Sequence, residues 1–227
     1  MTSRRRIIIV DDHPLFRAAL RQTLAGGDPS ITVEEAGDLA GLSRALEGDR
    51  DCDLVLLDLN VPGARGFSGL LLLRAQYPDV PVMIISAVED PGVIRSAIDL
   101  GAAGYLHKSV GPPEIRRAIE TVLAGEMFVP EAAAAAPDGD DAEQSALMRR
   151  LATLTPQQVR VLMMLSDGLM NKQIAYELTI SEATVKAHVS AILQKLGVDS
   201  RTQAVIAASR IEKGQFDTLL SSGRAPA

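Results

Sequence analysis

The sequence predicts two folded domains, an α/β domain with a parallel sheet followed by an all-α domain. Two observations predict them. Over residues 5–123, short apolar runs alternate with segments in which apolar residues recur at helical spacing. From residue 154 onward only the helical spacing remains. Alternation of the first kind is typical of a parallel sheet with helices on both faces.

The strands of the first domain are predicted from its apolar runs. Two runs, Ile7–Val10 and Leu54–Leu57, contain no polar residue, which is typical of strands buried on both faces. Only 3% of the chain is aromatic and it has no Trp, so the core must be aliphatic. The predicted strands are Arg6–Val10, Ile31–Glu34, Leu54–Asp58, Val80–Ile85 and Gly104–Leu106, and the predicted helices are Pro14–Leu24, Leu39–Leu46, Gly66–Tyr77, Pro91–Leu100 and Pro112–Leu123.

A linker is predicted over residues 124–153 and a tail over residues 213–227. The linker contains consecutive alanines, Ala132–Ala136, followed by Pro-Asp-Gly-Asp-Asp. Proline and glycine end a helix and the acids keep the segment in water, although the alanines could instead extend a helix. The second folded domain is therefore placed at residues 154–212.

Composition limits what the chain can be. Cys52 is the only cysteine, so no disulfide can form within the chain, which suits a reducing cytoplasm. No run of 18 or more apolar residues exists, so we expect no membrane span. Residues 154–227 carry 8 Lys and Arg against 6 Asp and Glu, whereas residues 1–130 carry 13 against 18. Only the C-terminal part is therefore expected to attract phosphate groups.

Three carboxylates follow predicted strands of the first domain. Asp11 and Asp12 end the first strand, and Asp58 ends the third. Because ligands bind outside the carboxyl ends of strands in an open parallel sheet, these acids are expected to converge. Close carboxylates repel one another unless a cation lies among them, and Mg²⁺ is a hard cation that prefers oxygen ligands. The pattern therefore predicts a Mg²⁺ site.

A hydroxyl and an ammonium group are expected at the same edge of the sheet. Ser86 ends the fourth strand and Lys108 follows the fifth. With the acids they suit a phosphoryl group carried on a carboxylate, Asp58 acting as the nucleophile. The cation, Lys108 and Ser86 would then offset negative charge on the phosphoryl oxygens.

The motifs that contain these residues resemble those of response-regulator receiver domains. The resemblance spans most of the first domain and implies the flavodoxin-like (βα)5 fold, doubly wound around a parallel sheet. The motifs are Val10-Asp11-Asp12-His13-Pro14, Leu57-Asp58-Leu59-Asn60-Val61-Pro62-Gly63, Ile85-Ser86-Ala87 and Gly104-Tyr105-Leu106-His107-Lys108-Ser109.

This resemblance implies a role for each acid. Asp58 is the implied phosphoacceptor. The implied Mg²⁺ ligands are Asp12 and Asp58 through their side chains, Asp11 mainly through water, and the backbone carbonyl of Asn60.

The resemblance also implies a switch. Ser86 and Tyr105 form the implied pair, with the ring of Tyr105 moving as Ser86 turns toward the phosphoryl group. The switch would alter the face formed by the fourth helix, fifth strand and fifth helix, and its contacts with residues 154–212. His13 and His107 lie beside these motifs and are expected on the surface or in loops, because hard cations prefer oxygen ligands.

Four helices are predicted in the second domain. Thr155 can cap the first helix, Pro156 occupies its first turn, and Gly168 ends it. Ser181 caps the third helix and Gly197 ends it. The helices are predicted from Pro156 to about Asp167, over Lys172–Leu178, from Ser181 to about Leu196 and over Arg201–Ile211.

The third of these helices has two different faces. One is apolar and must pack on the other helices. The opposite face is small, polar and free of acids, so it can enter a DNA major groove. Helical spacing alone leaves a dimerisation or docking module equally open. The apolar face carries Val185, Val189, Ile192 and Leu196, and the polar face carries Ala183, Ala187, Ser190 and Gln194 with Lys186 beside it.

Three stretches resemble the LuxR-type DNA-binding signature: Asn171–Ala175, Leu178–His188 and Lys195–Ala204. The resemblance implies a helix-turn-helix domain, with Lys186, Lys195 and Arg201 meeting phosphates. His188 could equally pack between helices. Gln157, Gln158 and Ser190 depart from residues common in such domains, which puts affinity and operator choice in doubt, but not the fold. The expected DNA contacts are Thr184, Lys186, Ala187, His188, Ser190, Gln194, Lys195 and Arg201.

Together the resemblances imply a NarL/FixJ-type transcription regulator of a two-component phosphorelay. A sensor histidine kinase would phosphorylate Asp58, and the phosphorylated homodimer would bind a double-stranded DNA operator. RNA polymerase is a further candidate partner. Such a regulator acts in the cytoplasm without a membrane partner and is not an enzyme in the usual sense.

Two other functions are consistent with parts of the sequence. A phosphatase of the haloacid dehalogenase type needs a second Asp two residues after its nucleophile, where this chain has Asn60. A LuxR-type regulator could instead sense a small molecule, although the intact set of acids, Ser86 and Lys108 speaks against that. No Gly-x-Gly-x-x-Gly motif follows a strand, so a dinucleotide site is not supported.

Overall fold

A computed structural model describes residues 4–49, 51–134 and 142–212. Its N-terminal part is a five-stranded parallel sheet in the order β2-β1-β3-β4-β5. The strands are β1 Arg5–Val10, β2 Ile31–Ala36, β3 Leu54–Leu57, β4 Val82–Ser86 and β5 Gly104–His107. The helices of this part are α1 Pro14–Ala25, α2 Leu39–Gly48, α3 Ser68–Gln76, α4 Pro91–Asp99 and α5 Pro112–Leu123.

The sheet is doubly wound, and its central strands are buried on both faces as predicted. β1 and β3 pair in parallel, with Val10 beside Leu57. On one face the alternate residues Ile8 and Val55 pack with α2, α3 and α4, and on the other Ile7 packs with α1 and α5. Because every strand runs in the same direction, all five carboxyl ends meet at one edge. The predicted fold class is confirmed.

The predicted linker contains ordered structure. The backbones of Phe128 and Gly104 form a parallel bridge, so the chain after α5 adds to the exposed edge of β5. Two helices follow, α6 Glu131–Ala134 and α7 Ala142–Leu151. The alanine run begins in α6, and its continuation into the acidic stretch lies outside the described residues. The predicted tail, residues 213–227, lies outside the described residues. The boundaries of the linker remain predictions.

Four helices form the C-terminal part, each close to its predicted position. Thr155 caps the first, and Gln158 completes a capping box by accepting from the backbone N–H of Thr155. Gln158, which departs from the residue common in such domains, therefore still caps the start of this helix. Gly197 ends the third helix in the left-handed conformation, with φ 67°. The helices are α8 Pro156–Ser166, α9 Asn171–Glu177, α10 Glu182–Leu196 and α11 Arg201–Glu212.

The two domains pack against each other through α3 and α8, and α7 of the linker packs against α4. One apolar cluster continues from the α3 side of the sheet into the helical domain, where it includes Leu162 and Ile211. This differs from the sequence-based expectation in which the α4–β5–α5 face meets residues 154–212, because α7 of the linker covers α4. Within the described residues, no helix combines the length and apolar character needed to cross a membrane.

Candidate functional site

Two carboxylates are placed side by side by neighbouring strands. Asp11 directly follows β1, and Asp58 directly follows β3. The backbone N–H of Asp58 donates to the carbonyl of Val10 at 2.9 Å, which extends the pairing of the two strands to this point. Both carboxylates are almost fully buried. The predicted convergence of these acids is confirmed.

Lys108 forms an ion pair with each of the two buried acids and offsets part of their negative charge. Its ammonium nitrogen lies 2.7 Å from Oδ2 of Asp58 and 2.7 Å from Oδ2 of Asp11. The backbone N–H of Lys108 donates to the carbonyl of Ser86 at 2.8 Å, so the residue is fixed at the end of β5. The ammonium also lies 4.9 Å from the ring centroid of Phe16, within cation–π range.

The ionisation of these groups is coupled. Burial raises the pKa of Asp58, the ammonium of Lys108 lowers it in part, and the charge of Asp11 raises it again. Burial lowers the pKa of Lys108, but hydrogen bonds to Asp11 and Asp58 outweigh that effect and the pKa is raised. The pocket therefore holds Lys108 charged and places Asp58 where additional positive charge is favourable.

Asp12 and His13 complete a cluster that can hold a metal ion. One candidate ligand atom from each of Asp11, Asp12, His13 and Asp58 lies within 4.8 Å of the others. Nδ1 of His13 is 2.6 Å from Oδ1 of Asp12, and the ring is 66% exposed. The three carboxylates give the oxygen-rich, negatively charged set that suits Mg²⁺. His13 lies on the surface as expected, in contact with the acids.

The implied switch residues, Ser86 and Tyr105, lie on the neighbouring strands β4 and β5. Ser86 is buried at the end of β4, and its Oγ accepts from the N–H of Val88 at 3.2 Å. The hydroxyl of Tyr105 donates to the carbonyl of Val88 at 2.8 Å. The Tyr105 side chain has no exposed surface, and burial raises its pKa to about 12. Ser86 and Tyr105 therefore both hold the loop that joins β4 to α4.

Two further residues were named from the sequence. Asn60 is exposed in the loop after β3, and its backbone N–H lies near enough to lower the pKa of Asp58. His107, expected on the surface or in a loop, is the last residue of β5 and its side chain is 20% exposed. Its Nε2 lies 2.9 Å from the carbonyl of Ala87 and its Nδ1 lies 2.5 Å from Oγ of Ser109. His107 therefore joins the loops after β4 and β5.

The polar face of α10 is open to solvent. The apolar face packs inward through Val185, Ile192 and Leu196, and Val189 is half-buried. Of the predicted DNA contacts on this exposed face, Lys186 is the charged one. Its ammonium lies 3.3 Å from a carboxylate oxygen of Glu182, one helical turn earlier. His188 is half-buried. The exposed predicted contacts are Thr184, Lys186, Ala187, Ser190 and Gln194, with Ala183 beside them.

Known protein families match both domains of the chain. Residues 7–120 match the response regulator receiver domain, and residues 152–208 match the bacterial regulatory proteins of the luxR family. The chain is a response regulator of the NarL/FixJ type. It is a DNA-binding transcription regulator of a two-component phosphorelay.

Relatives of this response regulator match it over nearly its whole length. The glycerol metabolism activator of Pseudomonas putida is 42% identical over 91% of this chain and 96% of its own. The nitrate/nitrite response regulator NarL of Escherichia coli is 33% identical over 88% of this chain and 93% of its own. The transcriptional activator DevR/DosR of Mycobacterium tuberculosis is 34% identical over 92% of this chain and 96% of its own.

Solved structures share the fold. The RcsB response regulator of Salmonella typhimurium, 22% identical, superposes with a TM-score of 0.56 over 92% of this chain and 100% of that one. An RcsB–DNA complex, 23% identical, gives a TM-score of 0.54 over 91% of this chain and 98% of that one.

In this response regulator, two cations predicted to meet DNA have partners inside the helical domain. The ammonium of Lys195 donates at 2.8 Å to the carbonyl of Thr153 and at 2.8 Å to Oε1 of Gln158. The guanidinium of Arg201 donates to Oδ1 of Asn171 at 3.1 Å and to the carbonyl of Leu169. Through these hydrogen bonds, both side chains connect the ends of neighbouring helices.

Sequence reasoning missed one cation on the helix-turn-helix. Lys172 lies exposed in the first turn of α9. The first helix of a helix-turn-helix crosses the DNA backbone. Its position next to Asn171, within the quoted LuxR-type motif, was the signal that could have identified it.

Proposed function

We propose that this response regulator carries its switching phosphoryl group on Asp58 and that the phosphorylated form binds operator DNA through α10. One observation carries the proposal: the buried carboxylate of Asp58 lies 2.7 Å from the Lys108 ammonium, at the sheet edge where two further acids converge. A nucleophile there lies at the carboxyl edge of the sheet and is held in a fixed orientation by Lys108.

The reaction requires little of the protein beyond positioning and charge. A carboxylate oxygen of Asp58 forms a bond with phosphorus, and the bond from phosphorus to the donor's leaving atom breaks, its electron pair staying on the donor. Lys108 stabilises negative charge on the phosphoryl oxygens, and Ser86 supplies a hydroxyl behind them. A sensor histidine kinase is the proposed donor, so the leaving atom would be an imidazole nitrogen.

Asp11, Asp12, Asp58 and the backbone carbonyl of Asn60 would hold Mg²⁺. The ion would supply positive charge that offsets repulsion between the carboxylates and the incoming phosphoryl group. The convergence of candidate ligand atoms from Asp11, Asp12 and Asp58 within 4.8 Å supports this assignment, because one ammonium cannot balance three carboxylates.

The DNA-binding half follows from the exposed face of α10. Thr184, Ser190 and Gln194 offer hydroxyl and amide groups to base edges, and Ala187 allows close approach. Lys186 and Lys172 lie where they can meet phosphates. A homodimer would place two such helices about 34–36 Å apart to read half-sites one DNA turn apart. A regulator with these partners acts in the cytoplasm, where promoter DNA lies, and RNA polymerase is a further proposed partner.

The phosphoacceptor assignment is tested by intact mass spectrometry after incubation with acetyl phosphate and Mg²⁺. Wild type is expected to gain one phosphoryl group, whereas Asp58→Ala gains none. Asp79→Ala is the matched control, because Asp79 is an exposed acid that precedes β4, at the opposite edge of the sheet. It should be phosphorylated like wild type.

Removal of the metal tests the role of Mg²⁺ in the same assay. Phosphorylation of wild type should be lost in EDTA and restored by excess Mg²⁺. Equal phosphorylation of Asp58→Ala and wild type would show that another residue accepts the phosphoryl group and would overturn the assignment.

A further inference from the structure

The first two turns of α10 present three small side chains to solvent. Ala183, Thr184 and Ala187 are all exposed. Ala183 and Ala187 lie one helical turn apart, and Thr184 lies three residues before Ala187, so the three side chains adjoin on the helix surface. Each of them carries a methyl group, and we call the three residues the methyl surface.

The orientation of the Thr184 methyl group is fixed by the helix cap. The backbone N–H of Thr184 donates to Oγ of Ser181 at 3.0 Å, and the two hydroxyl oxygens lie 2.8 Å apart. Because the side chain is branched at Cβ, holding its hydroxyl also holds its methyl group. Ala183 and Ala187 have no side-chain rotamers. The whole methyl surface is therefore held in place before any ligand binds.

The charged side chains beside the methyl surface pair with each other. The Lys186 ammonium lies 3.3 Å from Oε1 of Glu182. No arginine, asparagine or glutamine occurs between Glu182 and Leu193. Arginine reads guanine, and asparagine or glutamine reads adenine, through paired hydrogen bonds. Apart from Lys186, the first three turns of α10 therefore lack the side chains that read purines in this way.

Gln194 is too far along the helix to replace them at the same base pairs. Eleven residues separate it from Ala183, which corresponds to about 16 Å along the helix axis. In a helix-turn-helix, the N-terminal residues of the second helix contact base edges in the major groove. The second helix is α10 in this chain, whose residues 152–208 match the luxR family. The methyl surface thus occupies the part of α10 that meets the bases.

Thymine is the base whose edge fits an apolar surface. Among the four bases it alone presents a methyl group, at C5, in the major groove, and alanine or the methyl group of threonine contacts it favourably. Such a contact removes apolar surface of both partners from water. The small side chains also let the helix approach closely enough to make it.

We propose that the methyl surface selects thymine in the operator by contact with the 5-methyl group, with Ala183, Thr184 and Ala187 as specificity-determining residues. This inference rests on the proposed function, in which α10 binds operator DNA. Contact with a methyl group is independent of the donors and acceptors on the base. The methyl surface therefore also accepts 5-methylcytosine, which carries its methyl group at the same position.

Deoxyuridine tests the inference, because it differs from thymidine only by lacking the methyl group. Duplexes would be enriched from a random library with the full-length protein in acetyl phosphate and Mg²⁺. Each thymine of the enriched half-site would then be replaced in turn by uracil. At the contacted positions binding should weaken about fourfold, the effect of one buried methyl group. Equal affinity for thymine and uracil at every position would overturn the inference.

Cytosine gives the converse measurement. A C·G pair would replace the T·A pair at a contacted position, with and without a methyl group at C5 of cytosine. The methylated duplex should bind about fourfold more tightly than the unmethylated one. An advantage of thymine over uracil without an advantage of 5-methylcytosine over cytosine would contradict recognition of the methyl group itself.

Two variants at one position assign the contact to the protein. Thr184→Ser removes the methyl group and keeps the hydroxyl that reaches Ser181. It should bring the ratio of affinities for thymine and uracil close to one at the position that Thr184 contacts. Thr184→Val is the matched control, because it keeps a methyl group and removes the hydroxyl, and it should preserve the ratio.

Ala183→Gly and Ala187→Gly should each abolish the ratio at their own positions. Glycine also weakens a helix, but the ratio compares two duplexes with the same protein, so this loss cancels. A ratio that persists in Thr184→Ser and in both glycine variants would show that uracil acts through DNA shape, and would overturn the assignment. A phosphorylated protein that enriches no duplex would contradict the proposed function, and this inference with it.

Discussion

The acid pocket around Asp11, Asp58 and Lys108 and the reading face of α10 differ in how their charged groups are stabilised. The reading face is the exposed side of α10 that carries Thr184, Lys186, Ala187, Ser190 and Gln194. In the pocket, Asp11 and Asp58 are buried, and one ammonium holds both at 2.7 Å. On the reading face, small and polar side chains lie in water, and Lys186 pairs only with a neighbour on its own helix. Buried charges without a partner are costly, whereas exposed pairs are nearly neutral in stability. A substitution in the pocket should therefore affect folding and function together, and one on the reading face should affect binding alone.

The largest effect is expected for Lys108→Met. Removing the ammonium leaves Asp11 and Asp58 buried beside each other, so the free energy of unfolding should fall by about 3 kcal/mol at neutral pH. Chemical denaturation measures this change. Mg²⁺ should restore more stability to this variant than to wild type, because the ion replaces the missing positive charge. If the loss is below about 1 kcal/mol, the pocket does not depend on Lys108 for charge compensation.

Lys195→Met separates an internal role from a DNA contact. The Lys195 ammonium donates to Thr153 and Gln158 at the junction of α7 and α8. Loss of hydrogen bonds from a charged donor should lower the free energy of unfolding by about 1–2 kcal/mol. The salt dependence of DNA binding should stay unchanged. A reduced salt dependence with unaltered stability would instead make Lys195 a phosphate contact, as the sequence predicted.

Lys186→Met is the opposite case. The side chain is exposed, so the melting temperature should stay unchanged. The slope of log affinity against log salt concentration should fall by about one per protomer, since one phosphate contact is lost. Binding titrations over a range of salt concentrations measure it. An unchanged slope would remove Lys186 from the DNA interface.

A smaller and stabilising effect is expected in the turn between α9 and α10. Thr179 is an exposed β-branched residue with φ 54°, a conformation that costs L-residues about 1–2 kcal/mol. Asparagine tolerates this conformation, so Thr179→Asn should raise the free energy of unfolding by up to about 1 kcal/mol. Thr179→Val, which keeps the branching, should give no gain. Equal stability of the two variants would show that the turn relaxes without strain.

The pocket could be predicted from sequence because the rule behind it is topological. Parallel strands end at one edge, so Asp11, Asp58, Ser86 and Lys108 had to meet once the strands were recognised. Helix ends such as Thr155 and Gly197 were predictable because capping is local.

Contacts between distant side chains could not be predicted in this way. Lys195 and Arg201 have the charge and position of phosphate contacts, and nothing local in the sequence indicates that Gln158 and Asn171 accept from them. The packing of α3 on α8 was missed for the same reason. It depends on how two domains fit together, which no local pattern in the sequence indicates.

The central claim is that phosphorylation of Asp58 controls DNA binding, and affinity for selected DNA tests it most directly. Duplexes would be enriched from a random library with wild-type protein in acetyl phosphate and Mg²⁺. Their affinity would then be measured for wild type and Asp58→Ala, with and without acetyl phosphate. We expect acetyl phosphate to tighten binding by wild type and to leave Asp58→Ala unchanged. Equal stimulation of both proteins, or none in wild type that mass spectrometry shows to be phosphorylated, would contradict the claim.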